Sequence, residues 1–320
     1  MKRRSRCAGS GEGSSTPARA RSIATPLGTA PSRLERAGRA FPPALLASVA
    51  SAGEAATALE GGAEIVDLKD PRRGPLGPCS ARTLAAARRT GLRLDPARPM
   101  SAALGPARCP RTPRRAASAA RLGYAYVKCG LEGLADLPAA VRALRAVARA
   151  ARAASPQVQV IAAGFADAER IRSLPWRLLP EAAARAGVDG CLLDTAGKDG
   201  RSLSVWVSPR DLAAFVADCR RRGLLCALAG SIAANDLPAI VALGADIIGA
   251  RGALCDGGRT GWLSAERLRI FRAALHRSFE TGSTPPVRRP PARRSRSATG
   301  AGRAGRRSPA APAPPPPHGR

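Results

Sequence analysis

The consecutive pieces Leu45-Leu-Ala-Ser-Val49, Ser51-Ala-Gly-Glu54, Gly61-Gly62 and Glu64-Ile-Val-Asp-Leu-Lys69 read as one complete strand–helix–strand unit. The flanking runs are short and nearly continuously apolar, as suits strands covered on both faces. Between them Ser51 and Glu54 form an S-x-x-E capping box, and the paired glycines close the helix. The same unit recurs along the chain. Further strands are expected at Met100 to Leu104, Tyr124 to Cys129, Val158 to Ala163, Gly190 to Thr195, Leu225 to Ser231 and Asp246 to Arg251. Helices open at Thr112-Pro113 and Ser208-Pro209 and stop at Gly123 and Gly223. Another spans Asp136 to Ala154, and a last one runs from Ser264 to about Phe279. Eight units in about 235 residues match the size of an α/β fold, a single (β/α)8 TIM barrel over residues 43–280, rather than a doubly wound sheet of five or six strands.

Outside that span the composition changes. The chain carries a formal net charge of +29 over 320 residues. Residues 1–41 hold nine Lys/Arg against two Glu, and residues 281–320 hold nine Arg and no acid. These ends are also rich in Ser, Gly and Pro, so 1–42 and 281–320 are expected to be disordered basic tails that cannot bury enough apolar surface to order. Solvated low-complexity extension is their plain reading; phosphate neutralisation on nucleic acid is the functional one, and a transit peptide fits poorly without an amphipathic helix. No apolar run approaches the ~20 residues of a membrane span, so a cytoplasmic protein with no membrane partner is expected. Cysteines 7, 79, 109, 129, 191, 219, 226 and 255 form no CxxC pair, and the histidines are His276 and His318. Neither a zinc site nor a disulfide framework is expected.

Among 52 Lys+Arg only four are lysine: Lys2, Lys69, Lys128 and Lys198. Where a cation only solvates a surface this sequence writes arginine. An amine, unlike guanidinium, can lose a proton and attack a carbonyl. All three internal lysines fall at or just past the C-terminal ends of strands 2, 4 and 6, the chemical end of such a barrel. Period-2 alternation puts Asp67 with Lys69 and Tyr126 with Lys128 on common faces. If these faces point inward, three amines and the carboxylates Asp67 and Asp194 converge on one mouth. Neighbouring cations lower an amine's pKa, and carboxylates can orient amines and shuttle protons. A Schiff-base lyase or aldolase follows; the alternative is a set of barrel-mouth salt bridges.

The turns after strands 7 and 8, Gly230-Ser231 and Gly249-Ala250-Arg251-Gly252, lie at the usual phosphate position of this fold. Gly230, Ser231, Gly252 and the Arg251 fork are therefore candidate phosphate ligands. Asp167, after strand 5, reads equally as a helix N-cap or a proton-relay group. Cys129, Cys191, Cys226 and Cys255 read as inert packing, and His276 as a residue of the outer helix.

At these same strand ends the sequence resembles the (5-formylfuran-3-yl)methyl phosphate synthase family of methanofuran biosynthesis. The segments carrying the resemblance are Glu64-Ile-Val-Asp-Leu-Lys-Asp-Pro71, Tyr126-Val-Lys-Cys-Gly-Leu131, Ala162-Ala-Gly-Phe-Ala-Asp-Ala168, Leu193-Asp-Thr-Ala-Gly-Lys-Asp-Gly200, Gly223 to Ser231 and Asp246 to Cys255, in order over residues 44–275. It implies a carbon–oxygen lyase that joins two glyceraldehyde 3-phosphate molecules, with loss of one phosphate and of water, and uses no metal or organic cofactor. Lys69 matches the Schiff-base lysine and Lys128 the proton acceptor; Asp67, Asp194 and Lys198 match further active-site positions. A phosphorylated aldehyde is thus the expected small-molecule partner, and a homo-oligomer the expected assembly. Strand 3, ending Ser101-Ala-Ala-Leu-Gly-Pro106, departs from the family, which tends to have Thr and an acidic residue there. The rival readings are another Schiff-base triose- or sugar-phosphate aldolase or isomerase barrel, and a nucleic-acid-binding protein acting through its tails.

Overall fold

A computed structural model describes residues 41–197 and 199–283. The expected tails, apart from positions 41–42 and 281–283, lie outside the described residues, as does Lys198.

The chain alternates β1 (Ala44–Val49), α1 (Ala52–Glu60), β2 (Ile65–Leu68), α2 (Ala81–Leu94), β3 (Met100–Pro106), α3 (Thr112–Arg121), β4 (Tyr126–Gly130) and α4 (Leu137–Ala154). It continues through β5 (Gln159–Phe165), α5 (Leu179–Ala186), β6 (Gly190–Asp194), the short α6 (Leu203–Trp206), α7 (Pro209–Arg221), β7 (Leu225–Leu228), α8 (Leu237–Ala242) and β8 (Ile247–Ala250). A two-stranded hairpin, β9 (Cys255–Asp256) with β10 (Trp262–Leu263), precedes α9 (Ala265–Ser283). Strands β1 to β8 are parallel, pair in sequence order and close β8 on β1, forming the expected eight-stranded TIM barrel.

Two apolar cores follow from strand alternation. Leu46, Ile65, Tyr126, Ile161 and Leu192 point into the barrel. Leu45, Val66, Val127, Cys191 and Leu193 point outward and are covered by the helices. On the inner face the residues become polar toward the C-terminal end, so Ser48, Asp67, Lys128 and Asp194 top an apolar column. The barrel axis is therefore sealed below and chemically open above.

Several boundaries shift for local reasons. β7 stops at Leu228 because Gly230 and Ser231 take φ of 109° and 51°, which no strand accommodates. β3 changes register between Ala103 and Pro106, at the end that departs from the family pattern. α9 continues to Ser283, past the expected stop near Phe279. The capping box at α1 is half made: Ser51 accepts the Glu54 N–H at 3.1 Å, but the Glu54 carboxylate takes the N–H of Ala50 at 2.6 Å and turns to Arg251. Among the described residues no helix is long and apolar enough to cross a membrane.

Candidate active site

Register places the first constellation. Asp67 on β2 pairs with Ser48 on β1 and with Ser101 on β3, while Lys128 sits one strand further, opposite Ala103. The Lys128 Nζ donates to Asp67 Oδ2 at 2.6 Å, and Ser48 Oγ donates to the same oxygen at 3.0 Å. The two charged side chains are 4% and 0% exposed. Burial alone would push the Asp67 carboxyl up; Lys128 and then Lys69 outweigh it and hold the group below its ordinary value of 3.8. Asp67 is thus kept as a carboxylate beneath the mouth.

Lys69 stands one residue past β2, buried, with its backbone N–H on the Val49 carbonyl at 2.9 Å. Lys69, Lys128 and Asp194 line one cavity of about 390 Å³. Asp194 ends β6 and accepts the Thr195 N–H on Oδ1 at 2.8 Å. The segment that follows β6 is held by Asp167, which accepts the N–H groups of Ala196 at 2.6 Å and Gly197 at 2.7 Å. Asp167 caps no helix through its side chain, contrary to the cap reading, and it shapes the loop after β6.

The opposite wall of the cavity carries the turns after β7 and β8, with Gly230, Ser231 and Gly252 among its lining. A Cβ at Gly230 would press on Thr195 at 2.9 Å, so only glycine lets the turn close on β6. Successive residues with positive φ aim backbone N–H groups together, a concavity suited to an anion.

Arg251 also lines the cavity, but its donors are held within the chain. Its Nη1 donates to Ser48 O and Glu54 Oε2, both at 2.9 Å, and its Nη2 to Glu54 Oε1 at 3.2 Å and Gly261 O at 3.1 Å. Its Nε donates to Arg259 O at 2.7 Å. All five donors are occupied within the chain, so Arg251 braces the end of β8 against β1 and α1 and has no fork left for a ligand. Arg259, which the sequence reading passed over, lines the same cavity. Its Nη2 donates to Gly74 O at 3.1 Å, burial pulls its guanidinium down, and Asp194 across the mouth pushes it back up. The available signal was an arginine set in Gly257-Gly258-Arg259-Thr260-Gly261, just beyond the phosphate-type turn. Other expectations fall into place on the outer layers. Cys129, Cys191, Cys226 and Cys255 are buried under the helices, with Cys129 pushed up to about 12 by burial, and His276 lies on α9 near Glu64.

The family model for 4-HFC-P synthase matches residues 45–272, which is the barrel. The (5-formylfuran-3-yl)methyl phosphate synthase of Methanopyrus kandleri is 40% identical over 223 residues, covering 68% of this chain and 91% of that protein. The synthase of the same name from Methanocaldococcus jannaschii is 38% identical over 216 residues, 67% of this chain and 91% of its own. Among solved structures, KGPDC from Streptococcus mutans superposes with a TM-score of 0.52 at 13% identity, over 74% of this chain and 99% of that one, a likeness of fold alone. The matched range takes in every strand end that builds this mouth, and the chain belongs to the 4-HFC-P synthase family.

Proposed function

We propose that this barrel makes (5-formylfuran-3-yl)methyl phosphate from two molecules of glyceraldehyde 3-phosphate, the activity in the names of its relatives taken down to these residues. The observation that carries the reading is the meeting of Lys69 and Lys128 in one cavity, with the ionised Asp67 held beneath them. Lys69 Nζ attacks the carbonyl carbon of one triose phosphate, and loss of water leaves a protonated imine that acts as an electron sink. Lys128, once its ammonium has passed a proton to solvent through the mouth, takes the adjacent C–H proton, and the ionised Asp67 steadies the ammonium so restored. The enamine adds to the aldehyde of the second molecule; loss of phosphate and water with ring closure builds the furan ring, and hydrolysis of the imine releases the aldehyde and frees Lys69. Phosphate rests on the N–H groups around Gly230, Ser231 and Gly252, with Arg259 as the facing cation. Asp194 and Lys198 serve the later proton transfers. On this reading the enzyme is a carbon–oxygen lyase feeding a methanofuran-type carrier.

Borohydride added with glyceraldehyde 3-phosphate should fix a covalent adduct on Lys69, located by peptide mass spectrometry. Full furan production by Lys69→Arg, which keeps the charge and lacks the nucleophile, would reject the imine step.

A further inference from the structure

Glu132 follows β4 by two residues and belongs to none of the groups used above. On β4, Tyr126 faces the inner core and Lys128 reaches Asp67, so alternation turns the bare Cα of Gly130 toward the same interior. The Glu132 carboxyl occupies the space a side chain at 130 would take: a Cβ there would collide with Glu132 Oε2 and come within 2.9 Å of Leu76 Cδ1. This carboxyl therefore lies over the end of β4, about 7 Å along the strand from the root of Lys128. Its Oε2 is shut off from solvent and has no hydrogen-bond partner among the described residues.

We propose that Glu132 is a further proton donor of this site, acting on the oxygen that departs during elimination after the carbon–carbon bond has formed. The inference rests on the imine reading above. In that step Lys128, having given its first proton to the alkoxide left by carbon–carbon bond formation, takes a C–H proton, the released electron pair forms the C=C bond, and the C–O bond breaks toward Glu132. The carboxyl proton leaves with that oxygen as water, and solvent reprotonates the carboxylate before the next turnover. The surroundings suit a group that starts protonated. Burial raises the Glu132 pKa and Asp194 on β6 raises it further, while Arg108 beyond β3, whose Nε donates to the Glu132 carbonyl at 3.1 Å, and the residue's own backbone pull the other way; the net shift is upward. Asp67, the other carboxylate near Lys128, is shifted down. Two carboxyls driven apart on either side of Lys128, one bonded to it and one over the end of its strand, suit separate acid and base roles.

The test compares wild type, Glu132→Gln and Gly130→Ala, each with glyceraldehyde 3-phosphate. In both variants the borohydride adduct on Lys69 should persist while furan formation drops by about 10²- to 10⁴-fold. Gly130→Ala acts by expelling the end of a flexible side chain, at a position whose φ is not positive, and leaves the carboxyl itself intact. In wild type the furan-forming rate should fall as pH rises through the Glu132 titration, because the acid form works; in Glu132→Gln that alkaline fall should vanish. A furan rate in Glu132→Gln within about threefold of wild type would overturn the proposal alone. So would loss of adduct, furan and thermal stability together, which marks a structural role. Absence of any adduct in wild type would instead reject the imine reading, and this proposal with it.

Discussion

Two buried ion pairs stand at the same end of this barrel, and they differ in how far the cation is occupied. Arg251 meets Glu54 with both side chains 6% exposed, and every one of its five donors has an acceptor in the protein. Lys128 meets Asp67 at 2.6 Å with one hydrogen bond, on an amine that carries three donors and lines the cavity. The first pair is closed and the second has capacity left over. Charge and burial do not separate a brace from a working group; residual hydrogen-bonding capacity and the ability to lose a proton do.

Exchanging the two cation types tests this contrast most severely. Lys128→Arg keeps a positive charge beside Asp67 and removes the removable proton, so furan formation should fall by about 10²- to 10⁴-fold while the thermal midpoint moves little. Arg251→Lys should do the reverse. It leaves acceptors on Glu54, Ser48 and Gly261 without donors and should cost about 3–5 kcal/mol in denaturant unfolding, with turnover per folded molecule largely kept. Strong inactivation of a well-folded Arg251→Lys would erase the distinction. Asp67 gives it a pH signature. Its folded pKa lies below its unfolded value of 3.8, so its stabilisation is complete above that value and is lost as pH falls through the folded one. The stability gap between wild type and Asp67→Asn should therefore narrow below about pH 4.

Smaller effects sharpen the comparison on the phosphate wall. Arg259→Ala removes a cation that lines the cavity and should raise KM by roughly 10- to 100-fold with kcat less affected, as for one charge-assisted hydrogen bond. An unchanged KM would take Arg259 out of substrate binding. Ser231, at φ 51°, carries a side chain in the left-handed region. Ser231→Gly should raise unfolding stability by up to about 1 kcal/mol and leave competitive inhibition by inorganic phosphate unchanged, since the backbone N–H groups remain.

How far the site was legible depends on the range of the interaction that defines each residue. Lys69 and Lys128 were readable because lysine is rare here and strand ends are marked by local pattern. Asp194 was readable for the same reason, as the end of an apolar strand. Glu54 was misread in part: its spacing from Ser51 is that of a capping box, yet its carboxylate serves Arg251, 197 residues away. Asp167 looked like a cap or a relay; its side chain caps no helix and holds a loop about 30 residues on. Glu132 gave no sequence signal at all, because what distinguishes it is the missing side chain of Gly130 and the charge of Asp194 across the mouth.

The amino-acid order alone determined the barrel, through apolar runs at strand length separated by capped helices, and it determined which cations can deprotonate, since that is a property of the side chain itself. Which cations are occupied and which remain open to a ligand was decided only when the strands closed. Arg251 and Arg259 are eight residues apart, chemically identical and both on the cavity wall, and the contacts that saturate Arg251 come from β1, α1 and the β9–β10 hairpin. Hydrogen-bond saturation is set by partners brought near in space, and no local stretch of sequence carries that information.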